Sequence, residues 1–131
     1  MEKILKVIVD TDVLIKAFRG DVIKIRSLKL LKNTYCVSVE SAMELIAGSN
    51  NLKQLASFNK ILKVYSILQL NENVSQRAFQ MYKNYILSYK PGLPDSFIAS
   101  SALEHNLLVY TDNKKHYDFI EGIKFYKEKL K

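Results

Sequence analysis

The sequence predicts an α/β protein with a central, mainly parallel sheet of four to five strands and helices on both faces. Three observations carry that expectation. Short runs rich in β-branched residues alternate with longer segments of helical period along the chain. The first such run, residues 4–9, is apolar enough for a strand covered on both faces. Acids recur where strands give way to helices, the place where chemistry collects in an open α/β sheet.

Residues 4–9 form the first expected strand. Thr11 or Asp12 can cap a helix carrying Val13, Leu14, Ala17 and Phe18, with Gly20 ending it. Asp21 caps a second helix through residue 32, with Val22, Ile25, Leu28 and Leu31 inward and Asn33 at its close. Residues 35–39 make the second strand. Ser38 or Glu40 opens a helix that Gly48 ends, and Asn50 or Asn51 opens another with Leu52, Leu55, Ala56, Asn59 and Leu62 on one face. Residues 63–70 are a third strand candidate. Asn71 caps a long helix in which Val74, Ala78, Met81, Tyr82, Tyr85 and Tyr89 share one stripe. The period of that stripe favours packing over a base-stacking platform. Pro91-Gly92 stops this helix, and Pro94 suits the first turn of the next. That helix presents Ile98, Ala99, Ala102 and Leu103 inward and ends at Asn106. Residues 107–110 are the fourth strand. A short helical turn with His116, Tyr117 and Phe119 follows, then a last edge strand at 123–126.

At 131 residues the chain is expected to form one domain, 1–131. Lys and Arg total 20 against 13 Asp and Glu, a formal charge of +7. That balance suits either a polyanionic partner or a lysine-rich solvated surface. Cys36 is the single cysteine, so no internal disulfide forms, and its strand-like setting predicts a buried, inert thiol. No apolar run approaches the roughly 20 residues of a membrane span, and no secretory signal pattern is present. The expected location is the cytoplasm, away from membranes.

Asp10, Glu44, Asp95 and the pair Asp112-Asn113 fall at corresponding strand exits and early helical turns. In a parallel sheet all can face one crevice. Two carboxylates about 4 Å apart repel by roughly 4 kcal/mol at an effective dielectric of 20. Either some take up protons or a cation binds among them. An all-oxygen set suits Mg²⁺, or Mn²⁺, better than Zn²⁺. Asp12 reads more simply as a helix cap. His105 and His116 sit at no strand exit and are not expected to be catalytic.

These motifs resemble a known family. Val9-Asp10-Thr11-Asp12-Val13-Leu14-Ile15 resembles the opening of PIN-domain ribonucleases, especially VapC-type toxins. Ser38-Val39-Glu40-Ser41-Ala42-Met43-Glu44-Leu45 resembles their second motif, and Leu93-Pro94-Asp95-Ser96-Phe97-Ile98-Ala99 the third. Val109-Tyr110-Thr111-Asp112-Asn113 with Tyr117 resembles the fourth. The four together span nearly the whole chain. The resemblance implies a PIN-like three-layer sandwich and an Mg²⁺-dependent endoribonuclease. Asp10 and Asp95 would be the principal metal ligands, with Glu44 a third acid holding a water or metal. The family's fourth position is Asp or Asn. Here it is Asn113, with Asp112 one residue early, and either can fill it. The resemblance further implies a homodimer, a cognate antitoxin, and operator DNA bound only through the antitoxin complex. Lys16, Arg19, Lys114 and Lys115 lie near the expected crevice and could hold RNA phosphates.

Three other readings remain. A housekeeping PIN nuclease would share the site without the toxin role. A noncatalytic PIN-fold RNA- or protein-binding module would have lost the acids. A phosphatase of the haloacid-dehalogenase type would also carry Asp10-Thr11-Asp12 after a strand, but would leave Glu44 and Asp95 unexplained.

Overall fold

A computed structural model describes residues 4–129. Residues 1–3 and 130–131, the extremes of the expected 1–131 domain, lie outside that range. Four short strands form the sheet: β1 (Val7–Val9), β2 (Tyr35–Ser38), β3 (Ser66–Leu68) and β4 (Leu108–Tyr110). Their order is β3-β2-β1-β4, every pairing parallel. Ile8 sits opposite Cys36 on one side and Val109 on the other. The chain therefore winds outward from β1 to β3, then returns to place β4 on the far side of β1. This reversal opens a crevice at the carboxyl ends of β1 and β4.

Six helices surround the sheet: α1 (Thr11–Phe18), α2 (Val22–Leu30), α3 (Val39–Ala47), α4 (Leu52–Leu62), α5 (Glu72–Tyr85) and α6 (Leu93–His105). Alternation along the strands divides the core. Val7, Val9, Val37 and Tyr110 face Val13, Leu14, Leu28, Leu45 and Leu62 of α1 to α4. Ile8, Cys36 and Val109 face Met81 of α5, Ile98, Ala99 and Ala102 of α6, and Tyr117 and Ile120 beyond β4. Helices thus cover both faces, as the sequence predicts. Cys36 is buried, and burial pushes its thiol up to about 12, which keeps it inert.

Several local expectations change. Asp10, not Thr11 or Asp12, is the N-cap of α1, so the helix begins immediately after the strand. β1 starts at Val7, and Ile4 is 73% exposed. On α2 the inward positions are Lys24, Ser27 and Leu28, while Val22 faces solvent. On α4 Leu52 is exposed and Ala56 and Asn59 face out; Leu55, Phe58, Ile61 and Leu62 form the covered side. α5 ends at Tyr85, before Pro91-Gly92, and Tyr89 lies beyond the helix, exposed, with its ring still against Tyr85. The expected edge strand at 123–126 is one parallel bridge, Val109 with Phe125. Two hydrogen bonds flank it, Val109 N to Lys124 O at 2.8 Å and Tyr126 N to Val109 O at 2.9 Å. The turn at Gly122, φ +89°, leads into it, and a Cβ there would lie 3.1 Å from Leu103.

Candidate active site

The crevice between β1 and β4 is built by short-range rules. Val9 ends β1 and Asp10 caps α1, so Asp10 is held at the strand exit with its side chain 7% exposed overall. Its Oδ1 accepts from Thr11 N at 2.7 Å. Its Oδ2 accepts from Thr111 Oγ1 and from Tyr117 OH, each at 2.8 Å. Thr111 follows β4 directly, and the Asp10 N–H donates to Tyr110 O at 2.9 Å. The two strand exits are thereby locked together.

Asp95 reaches the same place from the first turn of α6. Gly92 is the N-cap and donates no side chain; a Cβ there would stand 3.3 Å from Asp95 Oδ2. Tyr117 OH lies 3.1 Å from Asp95 Oδ1. A phenol has one proton, so it can donate fully to only one of its two carboxylates at a time. Tyr117 is wholly buried, and burial with two flanking carboxylates drives its hydroxyl far up, so it remains a neutral donor. His116 Nδ1 is 3.3 Å from Asp95 Oδ2, closer to the acids than its sequence position suggests.

Glu44 joins through Thr11, whose Oγ1 donates to Glu44 Oε1 at 3.2 Å. It lies in the second turn of α3, and Glu40 is one turn earlier on the same face. Burial raises Asp10, Asp95, Glu44 and Glu40 above ordinary carboxylate values, and repulsion among the acids adds to it. Asp12 is raised too, by burial and then by Asp10.

The last two expected site residues separate. Asn113 Nδ2 donates to Asp12 Oδ2 at 2.8 Å, and the Asp112 N–H donates to the same oxygen at 3.1 Å. The Asp112 carboxylate instead meets Lys16 at 2.5 Å and Lys24 at 2.6 Å. Burial would raise it, but the two lysines outweigh burial and hold it below its ordinary value. Lys16, a candidate from sequence for holding RNA phosphates, is paired here with Asp112.

Asp12, Glu40, Thr11 and Thr111 were not read as site residues from sequence. Asp12 and Glu40 looked like helix-start acids, and the threonines carry no sequence signal beyond their motif. Among the described residues no three His, Cys, Asp or Glu side chains form a ready-made cage for one ion. The donor set is nonetheless all oxygen, crowded and raised in proton affinity. That suits a hard cation held by one or two carboxylates with water completing its shell. A concavity of about 990 Å³ lies elsewhere, lined by Phe18, Ile25, Leu28, Tyr35, Val64 and Tyr65 together with Lys29 and Lys32. None of the acids lines it.

A model of the PIN domain matches residues 7–121, which include every acid described above. The chain belongs to the PIN domain family. This PIN domain is similar to Ribonuclease VapC1 of Methanocaldococcus jannaschii, 30% identical over 127 residues, covering 92% of this chain and 87% of the relative. Its fold matches DNA-bound VapBC from Salmonella typhimurium at a TM-score of 0.84 and 24% identity, covering 94% of this chain and 98% of that one. VapBC-1 from nontypeable Haemophilus influenzae matches at 0.78 and 23%, covering 94% and 98%. The match over residues 7–121 includes both Glu44 and Asp95. No helix of the PIN domain is long and apolar enough to cross a membrane among the described residues.

Proposed function

We propose that this PIN domain is a divalent-metal-dependent endoribonuclease, acting in the cytoplasm as the toxin of a toxin–antitoxin pair. The observation that carries the reading is the Tyr117 hydroxyl placed between Asp10 and Asp95 at the exits of β1 and β4. Two acids brought so close by one phenol need either protons or a cation. Asp10 and Asp95 would hold Mg²⁺, or Mn²⁺, and Glu44 would accept a hydrogen bond from water beside it. A bound ion of this kind polarises a phosphoryl oxygen and makes water nucleophilic at neutral pH. Thr111 and Tyr117 keep the Asp10 carboxylate aimed, and Asn113 does the same for Asp12. Asp112 anchors the loop between them through Lys16 and Lys24.

The partners follow from the relatives' chemistry and this surface. One relative is named a ribonuclease, and the two solved neighbours described above are named VapBC, the Salmonella one bound to DNA. RNA is the proposed substrate. The apolar groove beside α1, α2 and α4, rimmed by Lys29 and Lys32, suits an amphipathic, acidic segment of an antitoxin. A homodimer, and operator DNA met only through the antitoxin, complete the proposal.

The test is cleavage of single-stranded RNA with Mg²⁺, with and without EDTA, by the parent chain and by Asp10→Asn and Asp95→Asn. Cutting should stop in EDTA and fall at least about a hundredfold in either variant, with folding retained by circular dichroism. Cutting that persists in EDTA and in both variants would refute the metal-dependent reading.

A further inference from the structure

A ring stack that the hydrolytic site does not use joins the segment after Tyr117 to the segment that leads into α6. Tyr89 and Phe119 lie 4.4 Å apart between centroids, with planes only 7° from parallel. Tyr85 meets both edge-on, at 5.9 Å from Tyr89 and 5.2 Å from Phe119. Tyr85 and Phe119 are seated on the core, whereas Tyr89 is 56% exposed. One face of Tyr89 is therefore backed by Phe119 and its ring is open to solvent. The chain leaves α5 to put it there: Tyr89 N donates to Tyr85 O at 2.8 Å, and Lys90 adopts φ +49°.

Both rings are tied to the site by short lengths of chain. Phe119 is two residues from Tyr117, a span of at most about 7 Å, and that turn is closed by Ile120 N to Tyr117 O at 3.0 Å. Tyr89 precedes α6 by four residues, and Asp95 lies in the first turn of α6. The same two segments carry exposed Lys90 and Lys115, Lys114 with its ammonium over the Phe125 ring at 5.6 Å, exposed Asp118, and His116 against Asp95. A flat, pre-stacked ring on segments that carry lysines and lead to the acids matches a nucleotide strand: base on the ring, phosphates on the lysines.

We infer that Tyr89, backed by Phe119, is a platform on which an unpaired RNA base next to the cleaved bond stacks. This rests on the ribonuclease reading and adds to it a named stacking contact for a substrate base. Every base has a π-face, so the platform selects unpaired RNA with little regard to base identity. A second copy of this chain seated on Tyr89 is the competing occupant, and the flanking lysines disfavour it by like-charge repulsion.

Steady-state cleavage tests the platform. Tyr89→Ala should raise KM for single-stranded RNA about tenfold with kcat nearly unchanged, and Tyr89→Phe should restore it. The sequence contains no Trp, so Tyr89→Trp places a single fluorescent reporter at the platform. In an Asp95→Asn background its emission should be quenched by an RNA oligonucleotide and much less by an abasic oligonucleotide of equal length. Equal quenching by both, or an unchanged KM in Tyr89→Ala, would overturn the platform while leaving hydrolysis intact. So would an unchanged KM with a lower mass by light scattering, which would assign the ring to a chain–chain contact. Base-dependent quenching in a protein whose parent cuts no RNA would uphold the platform and defeat the hydrolytic reading instead.

Discussion

Tyr117 concentrates the problem that the site solves at the scale of single side chains. Its hydroxyl lies 2.8 and 3.1 Å from oxygens of Asp10 and Asp95, with one proton between them, while its ring fills the core with α6. Tyr117→Phe keeps the ring and removes the bridge. The fold should persist, and the Mg²⁺ concentration giving half-maximal cleavage should rise about 10- to 100-fold, as when an outer hydrogen-bond partner of a metal ligand is lost. An unchanged Mg²⁺ dependence would show that the bridge does not position the acids. Asp10 was legible in sequence as the first polar residue after an apolar strand. Tyr117 was visible only as part of a motif, because its partners are 107 and 22 residues away.

Among elements, the loop after β4 is held from behind by α2. Lys24 is 6% exposed and pairs with Asp112 and with Glu128, each at 2.6 Å. Glu128 also accepts from Tyr110 OH, so α2, the β4 exit and the C-terminal segment meet at one ammonium. Burial would lower Lys24, but its two carboxylates outweigh burial and raise it, keeping it charged. Removing one member of such a group strands the others. Lys24→Met should destabilise the protein by about 2–4 kcal/mol in urea unfolding, the partners' partial exposure moderating the loss. A change below about 0.5 kcal/mol would mean that the pairs are no better than surface contacts. Sequence reasoning missed this because a lysine on a helix reads as solvent-facing, and the apolar Val22 two positions earlier drew the inward face to the wrong side. The same bias placed Leu52 inward on α4. Alternation of elements, the caps at Asp21 and Asn71 and the helix end at Asn106 were legible, since each depends on a few neighbouring residues, while sequence left Ser38 open against Glu40 and Asn51 against Asn50. The final edge was overread, because three apolar or aromatic residues near a chain end look like a strand whether or not a neighbour has room to pair.

For the whole molecule, strand order assembles the candidate site. No local pattern states that β4 returns beside β1, yet that return is what brings Thr111 and Tyr117 to Asp10. The resulting acid cluster makes the metal-free fold pH-sensitive in a definite direction. Asp10 and Asp95 start from 3.8 and Glu44 from 4.5, and all three are raised in the fold. Their protonated forms are favoured by folding, so that stabilisation is complete below the ordinary values and lost as pH rises through the raised ones. Asp112 is lowered and acts oppositely, its contribution present above 3.8 and lost as pH falls below it. Metal-free protein should therefore lose stability as pH rises from the ordinary carboxylate values through the raised ones, and a bound cation should reverse the deficit by favouring the folded state. Thermal unfolding with and without Mn²⁺ across a pH series from acid to neutral, in the parent and in Asp95→Asn, measures this directly. The expected result is a Tm rise with Mn²⁺ at neutral pH that shrinks as the acids take up protons and is largely absent in Asp95→Asn. An equal Mn²⁺ shift in both proteins, or none in the parent at millimolar Mn²⁺, would contradict a metal site built from these acids.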